Sequence, residues 1–215
     1  MIPDLDVTLR NLLKQKAPPS CGLLRAEGTD ISFDLPSAEW RGSLEHLTLN
    51  CYLYDIRENL ARRTHESFIQ RSDGGTRAMR RLAPVRIDCG YCITAWSTAG
   101  SGAVDGSGLA VAVQQEHQLL SEALRVLLLH PSIPSDVLHG SLVDQVPPYP
   151  SVIASDEGVR NQPEFWGTLN QPVKPSLNYV VTLVMLLDEE PLEFEPVVAH
   201  VTVDADHLAG RGEAD

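Results

Sequence analysis

Two long stretches of apolar alternation flank an arginine-rich segment, and that arrangement constrains the chain more than any other feature. In LTLNCYLYDI, residues 47 to 56, Leu47, Leu49, Cys51 and Leu53 share one face of an extended chain, and Tyr52, Tyr54 and Ile56 share the other. PVRIDCGYCITAW, residues 84 to 96, repeats the pattern with Ile87, Cys89, Tyr91 and Ile93 on one face. A period of two identifies strands, and strands adjacent along the chain usually pair, so these two should lie antiparallel. Apolar residues on both faces of the first strand imply cover on both sides over part of its length.

Between them, from Arg57 to Arg86, stand eight arginines against Glu58, Glu66 and Asp73, a net of +5 in a chain of net charge −12, which leaves about −17 for the remainder. Asp73-Gly74-Gly75 has turn chemistry, so residues 57 to 83 read as a hairpin arm or loop. A basic arm on an acidic body suits docking onto acidic surfaces, including a neighbouring copy. The guanidinium fork of arginine also favours interfaces. The plainer alternative is a solvated loop whose arginines pair locally. Nucleic-acid binding ranks third: the chain is acidic overall and Phe68 alone interleaves the arginines.

The rest of the sequence reads as an α+β domain. IPDLDVTLRNLLKQK, residues 2 to 16, places Leu5, Leu9, Leu12 and Leu13 at helical spacing, with Asp4 and Asp6 early and Lys14 and Lys16 late, as the helix dipole prefers. Pro18 and Pro19 end it. ISFDLP, residues 31 to 36, alternates as a short strand. Residues 109 to 130 form the long core helix, with Leu109, Val113, Leu120, Leu124, Leu127 and Leu128 at helical spacing. The proline-punctuated stretch 131 to 175 should mostly wrap over the surface, with helical turns at PSDVLHGS and PEFWGTL. SLNYVVTLVMLL, residues 176 to 187, reads as a central strand, joined by a DEEP turn to an antiparallel partner at 193 to 203. The expectation is a mixed, mainly antiparallel sheet of four to five strands with an N-terminal helix and one long central helix. It forms one domain over 1 to 203, with residues 204 to 215 an acidic disordered tail.

Several residues look chemical. Cys89-Gly90-Tyr91-Cys92 has the spacing of a thiol redox pair, but residues three apart on a strand face opposite ways, so the pair should be structural. His65-Glu66 begins a zinc-helix motif, yet Ile69 stands where the second histidine ligand belongs. No other histidine or cysteine spacing suggests a metal. Glu116 and His117 project about 100° apart on a helix, which favours salt bridging over acid–base catalysis. The glycine-rich loop from Gly100 to Gly108 lacks both P-loop and hydrolase-elbow frames and reads as a connector. No catalytic residue, metal or cofactor is expected. No apolar run reaches the ~18 residues of a membrane span, and the N-terminus lacks a secretory layout, so the expected compartment is the cytoplasm.

Taken in order, IPDLDVTLRNLL, ISFDLPSAEW, LNCYLYDIREN followed by Arg62 and Arg63, the ITAW strand end, QEHQLLSEAL and EFWGTLNQPVKPSLNYVVTL form a series. On these motifs residues 1 to 203 resemble the N-terminal domain of cap proteins of extracellular contractile injection systems, of the Photorhabdus virulence cassette and antifeeding-prophage type. Each motif alone is weak; six in the right order are specific. The resemblance implies a fold like that of phage tail terminators and a non-enzymatic subunit. That subunit would form a ring, expected to be a homohexamer, closing the inner tube and sheath away from the baseplate. It implies assembly in the bacterial cytoplasm, within a particle that can be released. Asp55, Arg57, Glu58 and Asn59 match the motif and are the implied contact residues, with Arg62, Arg63, Arg71, Arg77, Arg80 and Arg81 of the arm after them. Relatives often continue into further C-terminal domains, where this sequence has a short acidic tail. A thiol-redox or ligand-binding enzyme using Cys89 and Cys92 is the alternative, and an arginine-arm nucleic-acid binder is the second.

Overall fold

The computed structural model describes residues 1–63, 68–72, 77–98, 107–143, 145, 148–154, 158–159, 161–187 and 193–196, with the backbone alone considered at 68–72, 77–81, 107–110 and 193–196. In chain order the elements are α1 (Ile2–Gln15), α2 (Gly22–Arg25), β1 (Thr29–Ser32), α3 (Ala38–Gly42), β2 (Leu47–Glu58), β3 (Phe68–Ser72), β4 (Arg77–Arg81), β5 (Val85–Trp96), α4 (Ser107–Leu129), β6 (Ser151–Ile153), α5 (Gln162–Thr168), β7 (Leu177–Met185) and β8 (Glu193–Pro196). By compactness they fall into two units: Met1–Arg62 with Arg86–Met185, and Arg63–Val85 with Leu186–Asp215.

The first unit is built on a five-stranded sheet of order β1-β2-β5-β7-β6. The two long strands pair antiparallel as expected, β6 pairs antiparallel with β7, and β1 runs parallel to β2. One face carries Leu49 and Cys51 from β2, Cys89, Tyr91, Ile93 and Ala95 from β5, and Tyr179, Val181 and Leu183 from β7. Against it pack Leu5, Leu9, Leu12 and Leu13 of α1 and Leu119, Leu120, Ala123, Val126 and Leu127 of α4. Each such side chain contributes about 1.5–3 kcal/mol on full burial, which fixes the two helices that the leucine spacing anticipated. The opposite face buries Cys92 and Trp96 against Trp166 of α5, with Trp40 of α3, Tyr54, Phe165 and Leu169 around them.

Side-chain caps start α3 and α5. Ser37 accepts a hydrogen bond from the Trp40 amide, and Asn161 accepts one from the Glu164 amide, satisfying donors that a helix start leaves free. At α1, Asp4 reaches across to accept the Ser141 amide at 3.2 Å and hydroxyl at 2.7 Å. The intervening Gly140 sits at φ +55°, where a Cβ would stand 2.3 Å from Asp4 Oδ1, so only glycine fits.

Five expectations change on contact with the structure. Val113 and Leu128, expected on the core face of α4, are exposed, and that face is carried instead by Leu119, Ala123 and Val126 beside Leu120 and Leu127. The register of β2 against β5 shifts between Leu53 and Asp55, a bulge, after which Ile56 lies opposite Cys89. Directly opposed residues share a face, so Ile56 joins the face of Cys51 and Leu53 and leaves that of Tyr52. Gly90 accommodates the bulge, since a Cβ there would press within 3.3 Å of Asp55 Cβ. The strand expected at 31 to 36 occupies Thr29–Ser32 instead. The strand expected to pair with β7 does not: β5 and β6 already occupy both edges of β7, and Glu193–Pro196 pairs with β4. Finally, the proline-rich stretch is not mere wrapping, because it seats Ile133, Val137, Leu142 and Tyr149 in the first core and Trp166 in the second.

The second unit contains a three-stranded antiparallel sheet of order β3-β4-β8. Within it β3 and β4, both in the arginine-rich segment, pair antiparallel. The Asp73–Gly75 turn, the DEEP turn, His65-Glu66, most of the glycine-rich connector and the tail from 204 lie outside the described residues. Among the described residues no helix is long and apolar enough to cross a membrane.

Candidate functional site

The motif at the end of β2 is where the sequence concentrates its functional expectation. Beyond the bulge, Asp55 lies opposite Gly90, Arg57 opposite Asp88 and Glu58 opposite Ile87. Arg57 Nε pairs with Asp55 Oδ2 at 3.1 Å while its side chain stays 47% exposed. Asn59 uses every group it has: its amide donates to Arg86 O at 2.8 Å, Nδ2 donates to both oxygens of Asp88 at 3.2 and 3.0 Å, and Oδ1 accepts the Arg62 amide at 3.2 Å. The Arg62 amide also donates to the Asn59 carbonyl at 3.1 Å, and that backbone bond closes a single 3₁₀ turn at Leu60–Arg62. Asp88 also accepts the Thr182 hydroxyl at 2.7 Å, so one carboxylate ties together the end of β2, the middle of β5 and β7.

Energies separate the roles within this motif. Hydrogen bonds to a charged group contribute about 1.5–3 kcal/mol, whereas an exposed ion pair contributes about 0.2–1 kcal/mol. Asn59 is therefore an organiser of the local fold, while Arg57 and the exposed Arg62 present charge outward. Glu58 is partly buried and Arg63 exposed. Asp88 was not singled out from sequence. Its signal was an acid within an otherwise apolar strand, a position that demands partners when covered.

The remaining arginines occupy a different frame. Arg71 lies in β3 opposite Ala78, and Arg77, Arg80 and Arg81 lie in β4 opposite Ser72, Ile69 and Phe68. On its other edge β4 places Arg80 opposite Glu193 and Ala78 opposite Glu195. The strand neighbours of the hairpin thus come from the acid-rich end of the chain. Of the ten residues expected at an interface, Asp55, Arg57, Glu58, Asn59 and Arg62 fall in the first unit, and Arg63, Arg71, Arg77, Arg80 and Arg81 in the second.

Groups suited to catalysis are otherwise engaged. Cys89 belongs to the first core and Cys92 to the second, on opposite faces of β5, and burial pushes both thiols up to about 11. Thiolate is the reactive form, so neither sulfur is poised as a nucleophile. Glu116 accepts Lys174 Nζ at 2.8 Å, the Ser97 amide at 2.9 Å and the Ser97 hydroxyl at 2.8 Å, the salt-bridging role expected of it. Burial raises the Glu116 carboxyl, but these bonds outweigh it and hold the group below its ordinary value. Lys174 Nζ also stands 4.2 Å above the Trp96 ring, which Arg41 approaches at 5.7 Å. Among the described residues, no three of His, Cys, Asp or Glu are grouped to hold a metal ion.

Comparisons with known proteins place this arrangement. A terminator of sheath and tube from the cryo-EM structure of an extracellular contractile injection system, PVC, in the extended state matches with a TM-score of 0.63 at 21% identity, covering 94% of this chain and 62% of that one. The anti-feeding prophage cap, described as a tube-terminating cap, matches with a TM-score of 0.60 at 24% identity, covering 94% of this chain and 61% of that one. At these identities the likeness is one of fold, and the chain spans about three fifths of the length of each structure. No curated protein sequence matches the chain. A family profile, the Pvc16 N-terminal domain, matches residues 4–200. The chain belongs to the Pvc16 N-terminal domain family.

Proposed function

We propose that this chain is a structural cap subunit of a phage-tail-like contractile injection system, forming a ring that closes the end of the inner tube and sheath away from the baseplate. The observation that carries the reading is family membership over residues 4–200, and the terminator-like fold is consistent with it. The role is one of assembly and not of catalysis: both strand thiols are buried and split between faces, and Glu116 is committed to Lys174. Residues 1 to 203 act as one cap domain, and the ring is a homohexamer, because a tail of rotational symmetry is closed by contacts that match it. Assembly takes place in the bacterial cytoplasm, before any release of the particle.

The arginines of this segment supply contacts to sheath, tube or neighbouring subunits. Arg57, Arg62 and Arg63 with Arg71, Arg77, Arg80 and Arg81 are the proposed donors of charge, while Asp55, Glu58 and Asn59 shape the strand end that presents them. Charge complementarity of this kind speeds encounter and sets register. The test is reconstitution of the chain with its sheath and tube proteins, imaged by electron microscopy. Capped ends and uniform particle lengths are expected with the native chain. Reversal of Arg57, Arg62 and Arg63 to glutamate should give uncapped or length-disordered particles while circular dichroism stays native. Uniform, closed particles formed without the chain would overturn the reading.

A further inference from the structure

The bulge between Leu53 and Asp55 sets Ile56 on the face of Cys51 and Leu53, opposite Cys89 and diagonal to Ile87. Leu53 and Ile87 are partly buried against the first core. Ile56, on the same face, is 52% exposed. Leu60, in the 3₁₀ turn that follows, is 69% exposed, more than any other large apolar side chain among the described residues. The apolar face of the strand pair thus runs out of the core and ends at the surface. Neither residue hangs on a loose end. Asn59, between them, is bonded to the Arg86 carbonyl, to Asp88 and to the Arg62 amide, which fixes the backbone that carries both. A large apolar side chain held out on an ordered backbone suits an interface anchor, since little further order is imposed when it binds.

The charges beside this apolar pair are unequal. Asp55 is held by Arg57 at 3.1 Å, Asp88 by Asn59 and Thr182, and Glu58 is partly buried and engaged within the molecule. Arg62 is exposed, and no ion pair among the described residues takes its guanidinium. The three acids of this strand end have partners, and one outward cation is left to find its own.

We infer that Ile56 and Leu60 anchor the contact that the arginines surround, and that the protein partner offers an apolar socket with a carboxylate at its rim. Four residues of chain span at most about 14 Å, so the pair, with Arg57 and Arg62, falls within one interface patch of about 800 Å². Burying one aliphatic side chain is worth about tenfold to a hundredfold in an equilibrium constant, and an exposed ion pair about fivefold at most. The apolar pair therefore sets how long the contact lasts, and the arginines how fast it forms. This assignment rests on the capping reading and names what holds the cap in place.

The test immobilises sheath–tube particles assembled without the chain and follows binding of the full chain by biolayer interferometry at low and high salt. Ile56→Ser with Leu60→Ser should speed dissociation at least tenfold at either salt and leave association nearly unchanged. Arg57→Gln with Arg62→Gln should instead slow association, an effect that fades as salt rises. Circular dichroism checks both variants. The unaltered chain supplies a second measurement: amide exchange at 56 to 62 should slow on binding and should be fast at Leu60 in the chain alone. Native dissociation from the serine variant would overturn the anchor while leaving the capping function standing, as would a Leu60 already protected in the chain alone, which would mean that the chain covers its own anchor. Failure of the native chain to bind the particles at all would overturn the capping reading and the anchor with it.

Discussion

The two faces of the five-stranded sheet are both covered, but with different materials. One face is broad and mostly aliphatic, with Tyr91 and Tyr179 set among its leucines and valines, and is sealed by α1 and α4. The other is aromatic at one end, where Trp40, Trp96 and Trp166 meet at 5.7 and 6.2 Å, and polar further along β5, where Asp88 collects Asn59 and Thr182. Aliphatic packing is tolerant of exchange among similar volumes, whereas rings in edge contact and a shared carboxylate are demanding of geometry. The first face therefore holds the domain together, and the second fixes where the strand ends, and with them the outward arginines, are placed. Cys89 and Cys92, one on each face, mark the division.

The sharpest challenge to this division is a pair of truncations. Trp96→Ala should cost about 3–5 kcal/mol in urea unfolding, and Leu12→Ala about 2–5 kcal/mol. Because Trp96 also underlies Lys174 and Arg41, its loss should perturb the tryptophan spectrum and local order, which Leu12→Ala should not. A larger loss and disturbed spectrum from Leu12→Ala would reverse the assignment of roles.

Next in size is Asp88→Ala, which strands the Asn59 amide group and the Thr182 hydroxyl and should cost about 1–3 kcal/mol. Thermal melting would measure it, and amide exchange should show loosening confined to the end of β2 and the Leu60–Arg62 turn. Spread of the loosening into α1 would erase the distinction between faces.

A smaller effect is expected from acid. The Glu116 carboxyl is held below its ordinary value, so its contribution is fully present above that ordinary value and is lost as pH falls through the folded value. Burial lowers the Lys174 pKa, a cost present below its folded value and relieved only in alkali. Lys174→Met leaves the partly buried Glu116 carboxylate without its cation, so it should lower the neutral plateau and flatten the acid limb of the stability profile. An unchanged acid limb would remove Glu116 from the account of the second face.

Oxidation should do least of all. Under mild oxidant the four thiols should remain free, since the sheet itself stands between Cys89 and Cys92. A reversible disulfide between them would collapse the two faces into one.

Much of the fold was legible because periodicity persists over long elements. α1, α4, β2, β5 and β7 each run nine residues or more, long enough for a period of 3.6 or 2 to show. α2 and β6, of four and three residues, are too short to display one. Ile56 was placed on the wrong face because a bulge inserts one residue without altering composition, and the only local trace is Gly90 across from it. The candidate site was legible in part: Asp55, Arg57, Glu58 and Asn59 came with the resemblance, but nothing local announced that Asn59 is bound on all sides or that Asp88 is its partner.

By itself, the sequence determined the long helices and strands, that β2 is covered on two sides, and that the CGYC sulfurs point apart, because each follows from backbone periods of a few residues. Only the tertiary structure decided that Glu193–Pro196 joins β4 and not β7, that the run of arginines is divided between two units, and that Glu193 stands opposite Arg80. Strand pairing and charge proximity depend on which edges remain open once the chain is packed. Separation along the chain carries no record of that.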